Sequence, residues 1–92
     1  MRESAIEKRL KCGVEALGGL CEKFVSPGRR SVPDRLVSLP GGRIVFVELK
    51  APGKEPTALQ EKDHKRRRDL GFDVRVIDTV NKVDEFLGEI AK

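Results

Sequence analysis

The chain has 92 residues, 38% hydrophobic and 37% charged, enough for one small domain that buries about two-thirds of its unfolded surface. Its net charge of +4 suits a polyanionic partner, yet 15 acidic residues are more than a plain nucleic-acid coat needs, and the lack of Trp and Tyr argues against base-stacking platforms. Cys12 and Cys21 alone make neither a disulfide framework nor a zinc site, and no stretch has signal-peptide or membrane-span character, so a soluble, cytoplasmic protein without a membrane partner or organic cofactor is expected.

Ile6, Leu10, Val14 and Leu17 recur at helical spacing and predict a first helix from Ser4 to about Leu17, with Ser4 as N-cap and Gly18-Gly19 as its stop. Leu20–Val25 reads as a short strand, followed by a basic loop, Ser26-Pro27-Gly28-Arg29-Arg30. Two strands, Asp34–Leu39 and Arg43–Lys50, flank the hairpin punctuation Pro40-Gly41-Gly42. In the second of these, Ile44 and Phe46 share one face while Val45, Val47 and Leu49 share the other. A strand apolar on both faces belongs in the middle of a sheet. A helix from about Ala58 to Leu70 is capped by Thr57 and closed by Gly71. Phe72–Ile77 reads as a strand, and a last helix, Asn81–Ala91, presents an apolar stripe of Val80, Val83, Phe86, Leu87 and Ile90. The order is α-β-β-β-α-β-α, with no linker or repeat, so residues 1–92 form a single domain.

Glu48 and Lys50 are two residues apart on the central strand and emerge on the same face. An uncompensated charge there costs several kcal/mol; taken alone, the pair reads as a Glu–Lys ion pair at a strand end. Asp34 opens the neighbouring strand after Pro33, and the Pro40-Gly41-Gly42 turn folds it back alongside Glu48. Two carboxylates and an amine then meet at one sheet edge. Carboxylate oxygens are hard ligands suited to Mg²⁺, with Mn²⁺ as a substitute. Such an ion polarises a phosphodiester and activates water, while a lysine offsets charge developing on phosphorus.

Pro33-Asp34 followed by Glu48-Leu49-Lys50 resembles the PD-(D/E)XK nuclease signature. The wider frame of Glu7, Gly18-Gly19, Lys23, Val32-Pro33-Asp34-Arg35, Gly41-Gly42, Val47-Glu48-Leu49-Lys50-Ala51, Gln60 and Gly71 resembles the virus-type replication-repair nuclease (VRR-NUC) domain from about Glu3 to Phe86. The resemblance implies an α/β restriction-endonuclease-like core, α-β-β-β-α-β plus a C-terminal helix, with a mixed central sheet flanked by helices. It implies metal binding by Asp34, Glu48 and the Leu49 carbonyl, and catalysis by Lys50 at the attacking water or the transition state. Glu7 adds an outer carboxylate (Glu3 is a second candidate), Gln60 steadies the site, and Lys23 approaches a phosphate. It further implies a homodimer that cuts branched DNA such as Holliday junctions, in bacterial cytoplasm or in host cytoplasm if phage-encoded. Ser31 departs from the family's usual Gly, and His64 and Arg67 stand where the family places apolar side chains, so a shallowly packed second helix is expected.

Several assignments have structural rivals. Ser4-x-x-Glu7 and Thr57-x-x-Gln60 both fit a capping box, and Lys23 reads equally as a solvated strand residue. Arg29, Arg30 and Arg35 lie beside Asp34 in sequence and are expected to contact phosphates, which position a duplex without reading its sequence. The basic residues of the second helix read equally well as a solvated face, and His64 is assigned no catalytic role. A broad nicking or flap endonuclease and a non-catalytic DNA-binding module on the same fold are the competing readings; a small interaction domain with a fortuitous motif is the remaining one.

Overall fold

The computed structural model describes residues 3–92. The elements are α1 (Glu3–Ala16), β1 (Leu20–Lys23), β2 (Arg35–Leu39), β3 (Arg43–Leu49), α2 (Ala58–Asp69), β4 (Asp73–Ile77) and α3 (Val80–Ile90), with a short 3₁₀ turn at Pro40–Gly42. Their order is the expected one. β1 stops two residues short of Val25, and α1 already includes Glu3, so Ser4 sits inside the helix instead of capping it; the side chain of Glu3 lies outside the described residues. Thr57 caps α2 as expected, and Thr79 caps α3.

The four strands form one mixed sheet in the order β1-β2-β3-β4. β1, β2 and β3 run antiparallel, with Val37 opposite Val45 and Arg35 opposite Val47. Gly41 and Gly42 adopt φ of 84° and 80°, a region that favours glycine, which lets β2 turn straight into β3. β4 lies parallel to β3, with Glu48 beside Val76. A parallel neighbour needs a crossover connection, and α2 supplies it. β3 is therefore central, as its two apolar faces require.

One face carries the core. Val37, Leu39, Val45, Val47, Leu49 and Ile77 of the sheet pack against Ile6, Leu10 and Val14 of α1 and Val83, Phe86 and Ile90 of α3. Full burial of such a side chain contributes about 1.5–3 kcal/mol. α1 and α3 approach closely because Gly13 has no side chain: a Cβ there would lie 2.3 Å from a methyl of Leu87.

The other face is unlike it. α2 buries only Asp63 and His64, while Leu59 and Leu70 are exposed. Beneath the helix, Phe24, Phe46 and Phe72 form a cluster with 5.5 Å between successive ring centroids, tilted for the first pair and edge-on for the second. The Arg67 guanidinium lies 5.2 Å and 4.8 Å from the Phe24 and Phe46 centroids and bonds Asp63 at 2.7 Å. An Asp–Arg pair laid on aromatic rings thus replaces the missing apolar stripe, through cation–π attraction and burial of the arginine stem. The shallow packing expected of α2 follows. No described helix is long and apolar enough to cross a membrane.

Candidate active site

Pro33 is fully buried and fixes the chain just before β2. The Phe24 N–H then donates to the Asp34 carbonyl at 2.8 Å, and Asp34 Oδ2 accepts from the Leu49 N–H at 2.8 Å. That cross-strand bond pins the Asp34 carboxylate to the peptide between Glu48 and Lys50.

Glu48 is 1% exposed. Its Oε2 lies 3.6 Å from Lys50 Nζ and accepts from Gln60 Nε2 at 3.4 Å. Its Oε1 lies 3.6 Å from His64 Nε2, beyond hydrogen-bond range, and both atoms are buried without a hydrogen-bond partner. Burial, followed by the adjacent Asp34 carboxylate, pushes the Glu48 carboxyl up to about 8, against the opposing pull of Lys50. Burial and the nearby Arg68 charge push His64 down, so its imidazole is neutral around pH 7. A buried acceptor left without a partner costs about 1–3 kcal/mol. Such a carboxylate, strongly perturbed and set among other charges, is the pattern of a functional group.

The donor set fits a hard divalent cation. Asp34 and Glu48 offer carboxylate oxygens beside the Leu49 backbone. Among the described residues no three His, Cys, Asp or Glu side chains converge into a protein-built metal cage. A cation held here would have two carboxylates and would need carbonyl, water or phosphate oxygen for the rest of its shell, a donor set that suits Mg²⁺ better than zinc.

The other candidates fall into place unevenly. Gln60 makes the contacts of both rival readings: its Oε1 accepts from the Thr57 N–H at 2.9 Å to complete the capping box, while its Nε2 donates to Glu48 at 3.4 Å. Glu7 makes no capping box; it pairs with the Arg35 guanidinium. Arg35 corrects an expectation, because it is 6% exposed. It points from β2 into the α1 side of the sheet to meet Glu7, whereas a phosphate contact needs an outward-facing side chain. Lys23 is exposed and lines a depression of about 240 Å³ with Glu7, Asp34, Arg35 and Leu49. A larger one, about 580 Å³, is lined by the 26–30 loop with its two arginines and again by Asp34. Arg30 is exposed, while Arg29 is tied at 3.6 Å to Asp63 of α2.

Two buried polar residues escaped the sequence reading. His64 stands against Glu48 despite being assigned no role there, and Asp63 joins Arg29 to Arg67. The available signal was the break in apolar pattern on the sheet-facing side of α2, where a polar residue must find a partner within the protein.

No family model matches the chain. Over 79 residues it is 56% identical to a curated protein named "Putative nuclease p44" from Acyrthosiphon pisum secondary endosymbiont phage 1, an alignment spanning 86% of this chain and 85% of the relative. A solved structure described as a VRR_NUC domain matches it with a TM-score of 0.88 and 39% identity, covering 94% of each chain. Likeness in sequence and in fold over nearly the whole length, with the two carboxylates and the lysine gathered at the C-terminal end of the central strand β3, leads to one conclusion: the chain is a nuclease domain of the VRR-NUC family.

Proposed function

We propose that the protein is a Mg²⁺-dependent DNA endonuclease, active also with Mn²⁺, that hydrolyses phosphodiester bonds in branched DNA such as four-way junctions and acts as a homodimer. The observation that carries this reading is the buried Glu48 carboxylate held between Lys50 and Asp34 with one oxygen unpartnered. Asp34, Glu48 and the Leu49 carbonyl would hold the cation. When bound, Mg²⁺ supplies positive charge to polarise the phosphodiester and to lower the pKa of a water.

The remaining work falls to side chains. Lys50, ion-paired with Glu48 and 18% exposed, sets an ammonium where charge develops on phosphorus. Gln60, locked by its own capping box, keeps Glu48 from turning away. The Glu7–Arg35 pair seals the α1 side of the site. Lys23 and Arg30, exposed on the rim, attract phosphates without reading bases. A two-fold dimer would present two such sites to a two-fold junction, and pairing would support a small, polar monomer.

The test is cleavage of labelled linear duplex, flap, fork and four-way junction DNA in Mg²⁺, in Mn²⁺ and in EDTA. Paired symmetric cuts on the junction, lost in EDTA and with Glu48→Ala, are the expected result. Metal-dependent cuts on every substrate would move the assignment to a broad nicking or flap enzyme. Binding without cleavage in either metal would leave a DNA-binding module. Lys50→Ala is expected to abolish cleavage while DNA binding persists; loss of binding in a folded variant would make Lys50 a phosphate contact.

A further inference from the structure

We propose that DNA engaged at this site continues over the 26–31 loop onto the outer face of α2, where Lys62 and Arg66 hold the phosphates of a duplex arm. The inference rests on the DNA-nuclease reading above and extends it to a surface outside the catalytic groups. Its starting point is a continuous path. The depression lined by Asp34, Arg29 and Arg30 adjoins another of about 270 Å³, lined by Arg29, Ser31, Leu59, Lys62, Asp63 and Arg66. Arg29 is common to both.

The five basic residues of α2 differ in what their charges are doing. Arg67 bonds Asp63 and covers the Phe24 and Phe46 rings. Arg68 donates to the Val74 carbonyl at 2.7 Å. Lys65 pairs with Asp69 at 2.8 Å. Among the described residues, Lys62 and Arg66 have no such partner, and both are exposed and line the second depression. The one carboxylate there, Asp63, is 4% exposed and already faces Arg67 and Arg29. Three cations therefore surround a single, already neutralised acid. The ligand such a surface suits is a polyanion.

Spacing and composition narrow it further. Lys62 and Arg66 are four residues apart, about 6 Å along a helix, so both ammonium and guanidinium can reach phosphates of the same backbone. No aromatic side chain lines this depression, so the contact is with backbone phosphate rather than stacked bases. The exposed Leu59 adds an apolar patch against which deoxyribose can rest. Lys65, one residue before Arg66, lies outside the path.

The experiment measures the affinity of fluorescent four-way junction and linear duplex DNA across a salt series, in EDTA to prevent cleavage. The proteins are the wild type, Lys62→Ala/Arg66→Ala, and a charge-matched control, Lys8→Ala/Lys11→Ala, on the exposed side of α1 across the sheet. Losing two phosphate contacts should make the salt dependence shallower by about 1.8 in log–log slope and weaken binding about tenfold or more near 0.1 M salt. The control should change little. Alanine favours helix at exposed positions, and circular dichroism confirms that each variant is folded. Equal weakening by both doubles would show an effect of net charge and overturn the track. An unchanged Lys62/Arg66 variant would overturn it while leaving the nuclease reading intact. A wild type with no salt-dependent DNA binding would overturn both.

Discussion

Replacing Glu48 by Gln should stabilise the metal-free protein at neutral and alkaline pH, even as it destroys the proposed activity. The Glu48 carboxyl is held up to about 8 against an ordinary value of 4.5. The folded protein therefore binds a proton more tightly than the unfolded chain does. The stability this contributes is fully present below pH 4.5 and is lost as pH rises through about 8. At about 1.4 kcal/mol per pKa unit, ionising Glu48 in the folded state costs at most on the order of 5 kcal/mol, a large share of what holds a small domain together. The Gln amide has nearly the same shape and never ionises. In EDTA, urea unfolding at pH 5 should find the two proteins alike. By pH 8.5 the variant should be more stable by several kcal/mol, with the gap opening between those limits. His64 and the surface carboxylates are common to both proteins and drop out of the difference. Adding Mg²⁺ at pH 8.5 should stabilise the wild type by binding its native state and leave the variant nearly unmoved. A stability gap that is flat with pH, or a variant less stable than wild type at pH 8.5, would refute the argument that Glu48 is a strained, function-bearing carboxylate.

Three other perturbations follow from the packing of the two sheet faces. Asp63→Ala leaves Arg67 and Arg29 without their shared carboxylate and should cost about 2–4 kcal/mol; denaturant titration gives the loss, and faster amide exchange across residues 26–31 shows the freed loop. His64→Leu removes an imidazole whose pKa is lowered in the folded state. The wild type loses stability as pH falls below about 6.5 because that buried ring must charge, so the melting temperature of the variant should fall less between pH 7.5 and pH 5. Gly19→Ala puts a Cβ 2.6 Å from the Ser38 carbonyl oxygen. The strands must part to admit it, at about 1–3 kcal/mol, visible as a lowered melting temperature with unchanged secondary structure.

The frame of the fold was legible along the chain. Period-two and helical spacing are local properties, so the seven elements and the central place of β3 could be read from Ile44 through Leu49 and from the stripes of α1 and α3. The Gly-Gly turn brought Asp34 back to Glu48 because a tight turn fixes the register of the strands it joins. Lys50 followed from the alternation of a strand. The same local logic also proposed Ser4 as a cap and Arg35 as a phosphate contact, and there it failed. Whether Arg35 faces solvent or Glu7 depends on which side of β2 α1 covers, and nothing next to Arg35 in the chain records that. His64 looked like one more polar residue in a charged run until α2 was laid over β3 and its ring met Glu48. Asp63 gained its meaning in the same way, from an arginine 34 positions earlier in the chain and another one helical turn later. Such pairings are decided by long-range packing, because a charge taken out of water must find its partner in three dimensions. The backbone plan was therefore legible along the chain, and the partners of its buried charges were settled only when the sheet and α2 came together.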